Sequence, residues 1–402
     1  MPRIVRDPIH GAIALEDWVV SLLDTPVMQR LRRVRQLGAA HLVYPGAQHT
    51  RFEHCLGAHH LAGILARALG AGQPDSPLSA QDERVVRAAA LLHDVGHGPF
   101  SHAFEELLRE SGHRHESQSV DLIAWGPLSD LLRRAGLDPM AVADAVVGKG
   151  RLSPLVSGTL DADRMDYLLR DAHYTGLPTS VDPQRLADVV AYDPDHGVVL
   201  QEGGVTAAEA LLTMRFLMYP AVYLHRTVRS GESMLQAAIR WHVRDGHARL
   251  EDLQRETDDG LLWRIRQGGG IGAELVQRLW DRRLYKRAHE GRAELAEHPQ
   301  VAQLRDSARR REATAAEIAG LAGVAEHEVL LDVPRPPRLR ELGLLVRTEA
   351  GLRPLPEASR LVRVLQEARH DHWRFWVFTP KAHRERVAAA AQRVLPAPSA
   401  AV

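Results

Sequence analysis

Ala88-Ala-Ala-Leu-Leu-His-Asp-Val-Gly-His97 is an apolar helix end that runs into a His93-Asp94 doublet, and it decides how the rest of the chain is read. An imidazole and a carboxylate do not belong at a buried helix end without partners. Successive helical residues diverge by about 100°, yet both side chains can converge on one ion between helices, as mixed nitrogen and oxygen ligands do for Zn, Mn or Fe. Two other stretches offer matching donors. His54 sits in Thr50-Arg-Phe-Glu-His-Cys-Leu-Gly57, and Asp163 in Leu160-Asp-Ala-Asp-Arg-Met-Asp-Tyr-Leu-Leu-Arg-Asp171, each on a predicted helix. Together they complete a candidate two-His, two-Asp metal site. In the last helix Asp163, Tyr167 and Asp171 fall at i, i+4 and i+8 and share one face.

The chain has 402 residues, 45% of them hydrophobic and 25% charged, which excludes the disordered and fibrous classes. Lys plus Arg and Asp plus Glu both number 51. No global positive field draws nucleic acid or an anionic membrane, so stable nucleic-acid binding is not expected and an anionic substrate must be handled locally. A single cysteine, Cys55, excludes an internal disulfide and a thiolate-rich zinc site. No stretch reaches the roughly 18 apolar residues of a membrane span, and the expectation is a cytoplasmic protein. Ten of the 22 histidines lie between His41 and His115. Of these, His41, His59, His60 and His113 are read as surface or satisfied helix residues.

Apolar spacing predicts helix over 17–37, with a kink or new start at Asp24-Thr-Pro26, and over 53–70, 82–95, 116–147, 158–173 and 206–236. Tyr192 to Val205 reads as a short hairpin. Helices rich in Arg, Glu and Ala fill 247–324. After Val333-Pro-Arg-Pro-Pro337, the segments 342–348, 357–368 and Arg374-Phe-Trp-Val-Phe378 predict a small mixed lobe with two or three strands. The expected fold class is mainly α with a small mixed α+β C-terminal lobe. Its expected divisions are a catalytic core over 1–240, a helical extension over 241–332 and the lobe over 333–402.

The order His54, His93-Asp94, Asp163 resembles the HD-domain phosphohydrolases. Asp7-Pro-Ile-His-Gly11, Asp24-Thr-Pro-Val-Met-Gln-Arg-Leu-Arg32, Gln36-Leu-Gly38, Tyr44-Pro-Gly46 and His93-Asp-Val-Gly-His-Gly-Pro-Phe-Ser-His102 extend the resemblance to that family's deoxynucleoside triphosphate triphosphohydrolase branch, over roughly residues 3 to 230. It implies an HD-domain helical fold. It also implies hydrolysis of a deoxynucleoside triphosphate to the deoxynucleoside and inorganic triphosphate. The ion is Mn, Fe, Zn, Ni or Co held by His54, His93, Asp94 and Asp163, with Mg as a candidate on the substrate phosphates.

By residue match, the resemblance puts His97 and His102 near the α-phosphate, and makes His115 a proton donor with Glu105 orienting it. Arg51, Arg164 and Tyr167 hold phosphates, Gln36 and Asp171 the sugar 3′-hydroxyl, and Leu37 crowds the 2′ position. Arg3, Asp24, Gln29 and Arg32 match an effector site for an activating nucleotide (GTP or a dNTP), and a homo-oligomer, tetramer or dimer, accompanies it. Aligning Leu224-His-Arg226 with the branch puts Ala221 and Arg229 where its human enzyme carries an arginine and a tyrosine on the nucleotide. Two rivals stand beside this reading: another HD phosphohydrolase, acting on a nucleoside monophosphate or phosphodiester, and a nucleotide or single-strand binding regulator with slow hydrolysis.

Overall fold

The computed structural model describes residues 3–70, 78–110, 112, 115–179, 181–193, 195–337 and 343–397, without the side chains of residues 102 and 110. Three helices bring the quoted motifs together. Arg51–Ala68 starts where the Glu53 carboxylate accepts from the Thr50 N–H at 2.6 Å and from its hydroxyl at 3.0 Å, closing the first turn. It is buried nearly all round, at His54, Cys55, Ala58, His59, Leu61, Ala62 and Leu65, so it needs neighbours on several sides. Ala80–Leu92, capped reciprocally by Ser79 and Asp82, and Ala162–Thr175, capped by Asp161, supply them. The small side chains of Ala88, Ala89 and Ala90 let the backbones approach closely.

The rest of the molecule braces this trio. Antiparallel strands Arg3–Asp7 and Gly11–Leu15 form a hairpin at the N-terminal end. A second apolar cluster gathers around Arg226–Arg244, Asp258–Gly268 and Gly270–Trp280, and a third around Ala308–Ala322 and Arg384–Val394. Strand Phe375–Thr379 lies between these two clusters, with Phe375 and Val377 in one and Trp376 and Phe378 in the other. Alternation across a pleat that is buried on both faces explains its unbroken apolar run.

The mainly α fold class holds, and the Val190–Asp193 and Gly197–Gln201 hairpin forms as expected. Several boundaries differ. The helix expected over 17–37 is Asp17–Leu23 followed by Pro26–Arg30 and one 3₁₀ turn, and Val34 is already extended, so Gln36 and Leu37 sit in a loop. The helix expected over 116–147 is three, His115–Ala124, Pro127–Arg134 and Pro139–Val146, each of the last two opening on a proline. Lys286–Gly291 is a strand within a stretch expected to be helical. The expected divisions cut through elements: Arg226–Arg244 spans residue 240, and one antiparallel sheet joins Lys286–Gly291, Phe375–Thr379 and Leu330–Asp332 across residue 333. Leu345–Thr348 pairs in parallel with Gly197–Gln201, so the C-terminal strands pair with strands from both of the earlier divisions.

A buried two-point tie across these parts is Arg229, whose Nε and Nη2 donate to the two oxygens of buried Asp332 at 2.9 and 2.6 Å. Its Nη1 donates to Glu232 at 2.7 Å. Removing one partner of such a pair strands a buried charge. Asp332→Ala is expected to lower unfolding free energy by roughly 3–5 kcal/mol, read by denaturant melts, and a loss under about 1 kcal/mol would show the pair to be merely superficial.

Candidate metal centre

Two imidazoles meet at the centre of the helix trio, with His54 Nε2 3.2 Å from His93 Nε2. Each ring is held from behind. His54 Nδ1 lies 2.8 Å from Asp166 Oδ2 and His93 Nδ1 lies 2.8 Å from the Ala90 carbonyl. Carboxylate and carbonyl oxygens only accept, so both Nδ1 atoms carry hydrogens and both Nε2 lone pairs face one another. A cation or a proton must separate them. Asp163 Oδ1 lies 3.2 Å from His54 Nε2 and 3.5 Å from His93 Nε2, and Asp94 oxygens lie 3.3 Å from His93 Nε2 and 3.7 Å from His54 Nε2. Donors each about 2.1 Å from one ion sit roughly 3.0–3.4 Å apart, so His54, His93 and Asp163 form a group that could hold a divalent metal of nitrogen and oxygen preference, while Asp94 lies beside it and also groups with His97 and His115. His54 is sealed, whereas Asp163 keeps 32% side-chain exposure and marks the open side.

Arg51 is buried beside the donors, pairing through Nη1 with Asp94 and donating from Nε to Ser101 Oγ at 2.7 Å. Among the described residues its buried Nη2 has no hydrogen-bond partner. Ser101 and Phe100 reach this position with φ of 51° and 54°, a left-handed conformation that costs non-glycine residues of order 1–3 kcal/mol each. His97 Nε2 lies 3.3 Å from Asp94, and its ring stacks on His115 with centroids 3.8 Å apart. His115 Nδ1 lies 2.8 Å from Glu105, the orienting contact expected of that pair. Burial and the nearby Arg51 hold the His97 pKa well below the usual imidazole value. The side chain of His102 lies outside the described residues.

The other expected residues divide. Tyr167 lies near the centre, its ring centroid 6.5 Å from that of His54, and burial raises its pKa. Leu37 packs half-buried on the main core. Gln36 Oε1 is buried with no partner among the described residues. Asp171 is buried and already engaged by His49 at 2.9 Å and the Tyr223 hydroxyl at 2.8 Å, while Arg164 turns to Asp161 at 2.8 Å and the Gly158 carbonyl. Of the candidate effector residues, Arg3 approaches Asp24 at 4.0 Å, and Arg32 donates to Gln29 at 2.9 Å while lying over the Phe52 ring. Arg229 is spent on Asp332, and the Ala221 carbonyl accepts from Tyr44.

Sequence reasoning missed the groups that aim the ligands. Asp166 lay unread three residues past Asp163, yet it receives His54, and Arg170 one turn on grips both its oxygens at 2.9 Å. Ser119, fully buried, donates to the His93 carbonyl at 2.8 Å and accepts from the Gly96 N–H at 3.0 Å, fixing the His-Asp turn against the helix that carries His115. A Cβ on Gly96 would lie 2.4 Å from the His115 carbonyl oxygen and 2.6 Å from the Ser119 nitrogen, so only glycine permits that contact. The i,i+4 Asp166-Arg170 spacing was the only available signal.

Burial alone would lower the His54 pKa, but Asp163 and Asp166 outweigh it and raise it to about 10. Without metal, that proton stabilises the fold fully below the ordinary value of 6.5, and the contribution is lost as pH rises through about 10. Metal must displace the proton, so affinity is expected to rise about tenfold per pH unit below that pKa. Calorimetric titration of metal-free protein in buffers of different ionisation enthalpy should show proton release near pH 7; pH-independent affinity with no release would contradict it.

An HD domain model matches residues 51–171, and a model described as an HD associated region matches residues 181–401. The human deoxynucleoside triphosphate triphosphohydrolase SAMHD1 is 34% identical over 275 residues, covering 59% of this chain and 44% of that protein. A Dictyostelium discoideum homologue of it is 30% identical, covering 71% and 59%, and an uncharacterised Methanocaldococcus jannaschii protein 33% identical, also covering 71% and 59%. The chain thus spans about half the length of these curated relatives. A Bacteroides thetaiotaomicron phosphohydrolase shares the fold at TM-score 0.72 and 24% identity, covering 94% of this chain and all of that one. A hypothetical protein from Aquifex aeolicus does so at 0.74 and 25%, covering 97% and 100%. The chain belongs to the HD-domain family, with an HD domain followed by an HD associated region.

Proposed function

We propose that the protein hydrolyses deoxynucleoside triphosphates to the deoxynucleoside and inorganic triphosphate. The observation that carries this reading is the Arg51 guanidinium, buried beside the four metal donors with Nη2 unpartnered among the described residues and His97 and His115 stacked beyond Asp94. A buried cationic donor of this kind suits a phosphoryl oxygen. The similarity to SAMHD1 proteins supports the substrate class.

A divalent ion held by His54, His93, Asp94 and Asp163 would polarise a phosphoryl oxygen and lower the pKa of a water. Asp94 joins that ion site to Arg51 and His97, so phosphate charge is met on two sides. Water adds to the α-phosphorus as its bond to the 5′-oxygen breaks. His115, held by Glu105, gives that oxygen its proton, because an alkoxide leaves poorly. The attacking oxygen stays in the triphosphate; of the water's two hydrogens one is left on the triphosphate or lost to solvent, and the other replaces, through solvent, the proton that His115 gave. Tyr167 and Arg164 take the outer phosphates, Gln36 and Asp171 the sugar, and Leu37 disfavours a 2′-hydroxyl by removing its water without supplying a partner. Asp171 would exchange His49 or Tyr223 for the sugar.

The same reading extends to a nucleotide activator at Arg3, Asp24, Gln29 and Arg32 and to a homo-oligomer. In support, exposed Arg3 approaches Asp24, and Arg32 donates to Gln29 while lying over Phe52 of the first helix of the trio. Among the described residues no helix is long and apolar enough to cross a membrane.

Incubating the metal-loaded protein with each dNTP and GTP, alone and mixed, should release inorganic triphosphate and deoxynucleoside on chromatography, and chelation should abolish it. Orthophosphate or a nucleoside monophosphate as product would favour another HD phosphohydrolase. Asp94→Asn should lower turnover at least about a hundredfold, and because it leaves buried Arg51 without its carboxylate it should also lower the melting temperature while the folded far-UV spectrum is kept.

A further inference from the structure

At the tip of the N-terminal hairpin Pro8 and Gly11 are exposed, yet Asp7 is buried and the His10 side chain turns inward. Arg3–Asp7 pairs with Gly11–Leu15, leaving Pro8, Ile9 and His10 as the connection. Asp7 Oδ1 accepts from the Ile9 and His10 N–H groups at 2.9 Å each, and Gly11 takes φ 71°. This turn chemistry fixes the His10 backbone and sends its ring inward. His10 Nε2 reaches Asp166 Oδ1 at 2.7 Å, with 4% and 0% of the two side chains exposed. Asp7 Oδ2 accepts from Arg170 Nη1 at 2.9 Å.

Asp166 therefore receives four donors. Oδ2 takes His54 Nδ1 and Arg170 Nε, and Oδ1 takes His10 Nε2 and Arg170 Nη2, all within 2.7–2.9 Å. The carboxylate lies flat against the helix that carries His54: a Cβ on Gly57 would sit 1.7 Å from Oδ1 and 2.5 Å from Arg170 Nη2. Arg170 binds both oxygens from its own helix, and His10 adds a second donor to Oδ1 from a distant segment of the chain, tying the carboxylate to the hairpin.

We propose that His10 and Asp7 of the hairpin are positioning residues of the metal centre, fixing the Asp166 carboxylate that aims His54 Nε2 at the ion. This rests on the reading of His54 as a metal ligand and goes beyond it, since neither hairpin residue touches the ion site. A histidine ligand's outer partner sets its tautomer and ring orientation, and losing such a partner typically costs 10–100-fold in metal affinity. A plain structural brace would cost stability and leave affinity alone.

The test is divalent-metal affinity of the full chain, by titration with Co(II) or Mn(II), together with the visible spectrum of the Co(II)-loaded protein. His10→Phe keeps ring volume and removes the donor to Asp166 while His54 keeps its own partner, so it should bind about 5–10-fold more weakly, short of the roughly 10–100-fold for loss of a direct partner, with an altered Co(II) spectrum. His10→Gln returns an N–H donor and should recover most of the loss. Ile13→Ala, on the same hairpin and 1% exposed, cuts core packing and should lower the melting temperature at unchanged affinity. His10→Phe binding within about twofold of wild type, or Ile13→Ala losing as much as His10→Phe, would overturn the proposal. Wild-type protein that takes up no divalent ion would instead overturn the metal reading beneath it.

Discussion

Two imidazole lone pairs facing each other at 3.2 Å are the constraint on which the rest of the structure depends. Neither ring can turn away, because the hydrogen on each Nδ1 is committed to Asp166 or to the Ala90 carbonyl. Such a contact is repulsive unless positive charge lies between, and the surrounding carboxylates of Asp94 and Asp163 make the position strongly attractive to a cation. Metal-free protein meets that demand with a proton on His54; a divalent ion would meet it with more charge.

Holding this arrangement shapes features far from the ligands. The three central helices carry small residues where they cross, caps fix their starts, and Gly57 and Gly96 stand where any side chain would strike Asp166 or the backbone of His115. Strain is accepted at Phe100 and Ser101, which places the Ser101 hydroxyl on Arg51. Arg30 fastens the same turn from outside, donating to the His97 carbonyl at 2.5 Å and to that of Glu256 at 3.0 Å. The His-Asp turn is thus pinned by Ser119, Arg30 and Arg51 together, and the C-terminal helices reach the centre through Glu256 and Asp258, whose carboxylate accepts the Phe100 N–H at 2.6 Å. The HD associated region accordingly buttresses the site without supplying the four metal donors.

The His93-Asp94 doublet stood out in the sequence, since an imidazole and a carboxylate at an apolar helix end announce a need for partners. The coming together of the donors was not readable from periodicity; it needed the family's motif order. Asp166, Arg170 and Ser119 stayed hidden because a buried ion pair and a buried hydroxyl look like any other helix residues until their partners are known. Gln36 and Leu37 were given a helix because apolar spacing in a loop can mimic it, and tertiary contacts with the 49–51 segment decide otherwise. The strand pairings of the second half were lost for a related reason: Lys286–Gly291 carries few apolar residues and is defined by its neighbour Phe375–Thr379. Long-range pairing leaves little local trace.

The most direct test of a metal held between His54 and His93 is an anomalous difference map from crystals of protein loaded with Mn, Fe, Co, Ni or Zn, collected at that metal's absorption edge. The account predicts one strong peak about 2.0–2.3 Å from His54 Nε2, His93 Nε2 and oxygens of Asp94 and Asp163. A map with no peak there, or with the ion seated on His97 and His115 while the two Nε2 atoms still face each other, would contradict it.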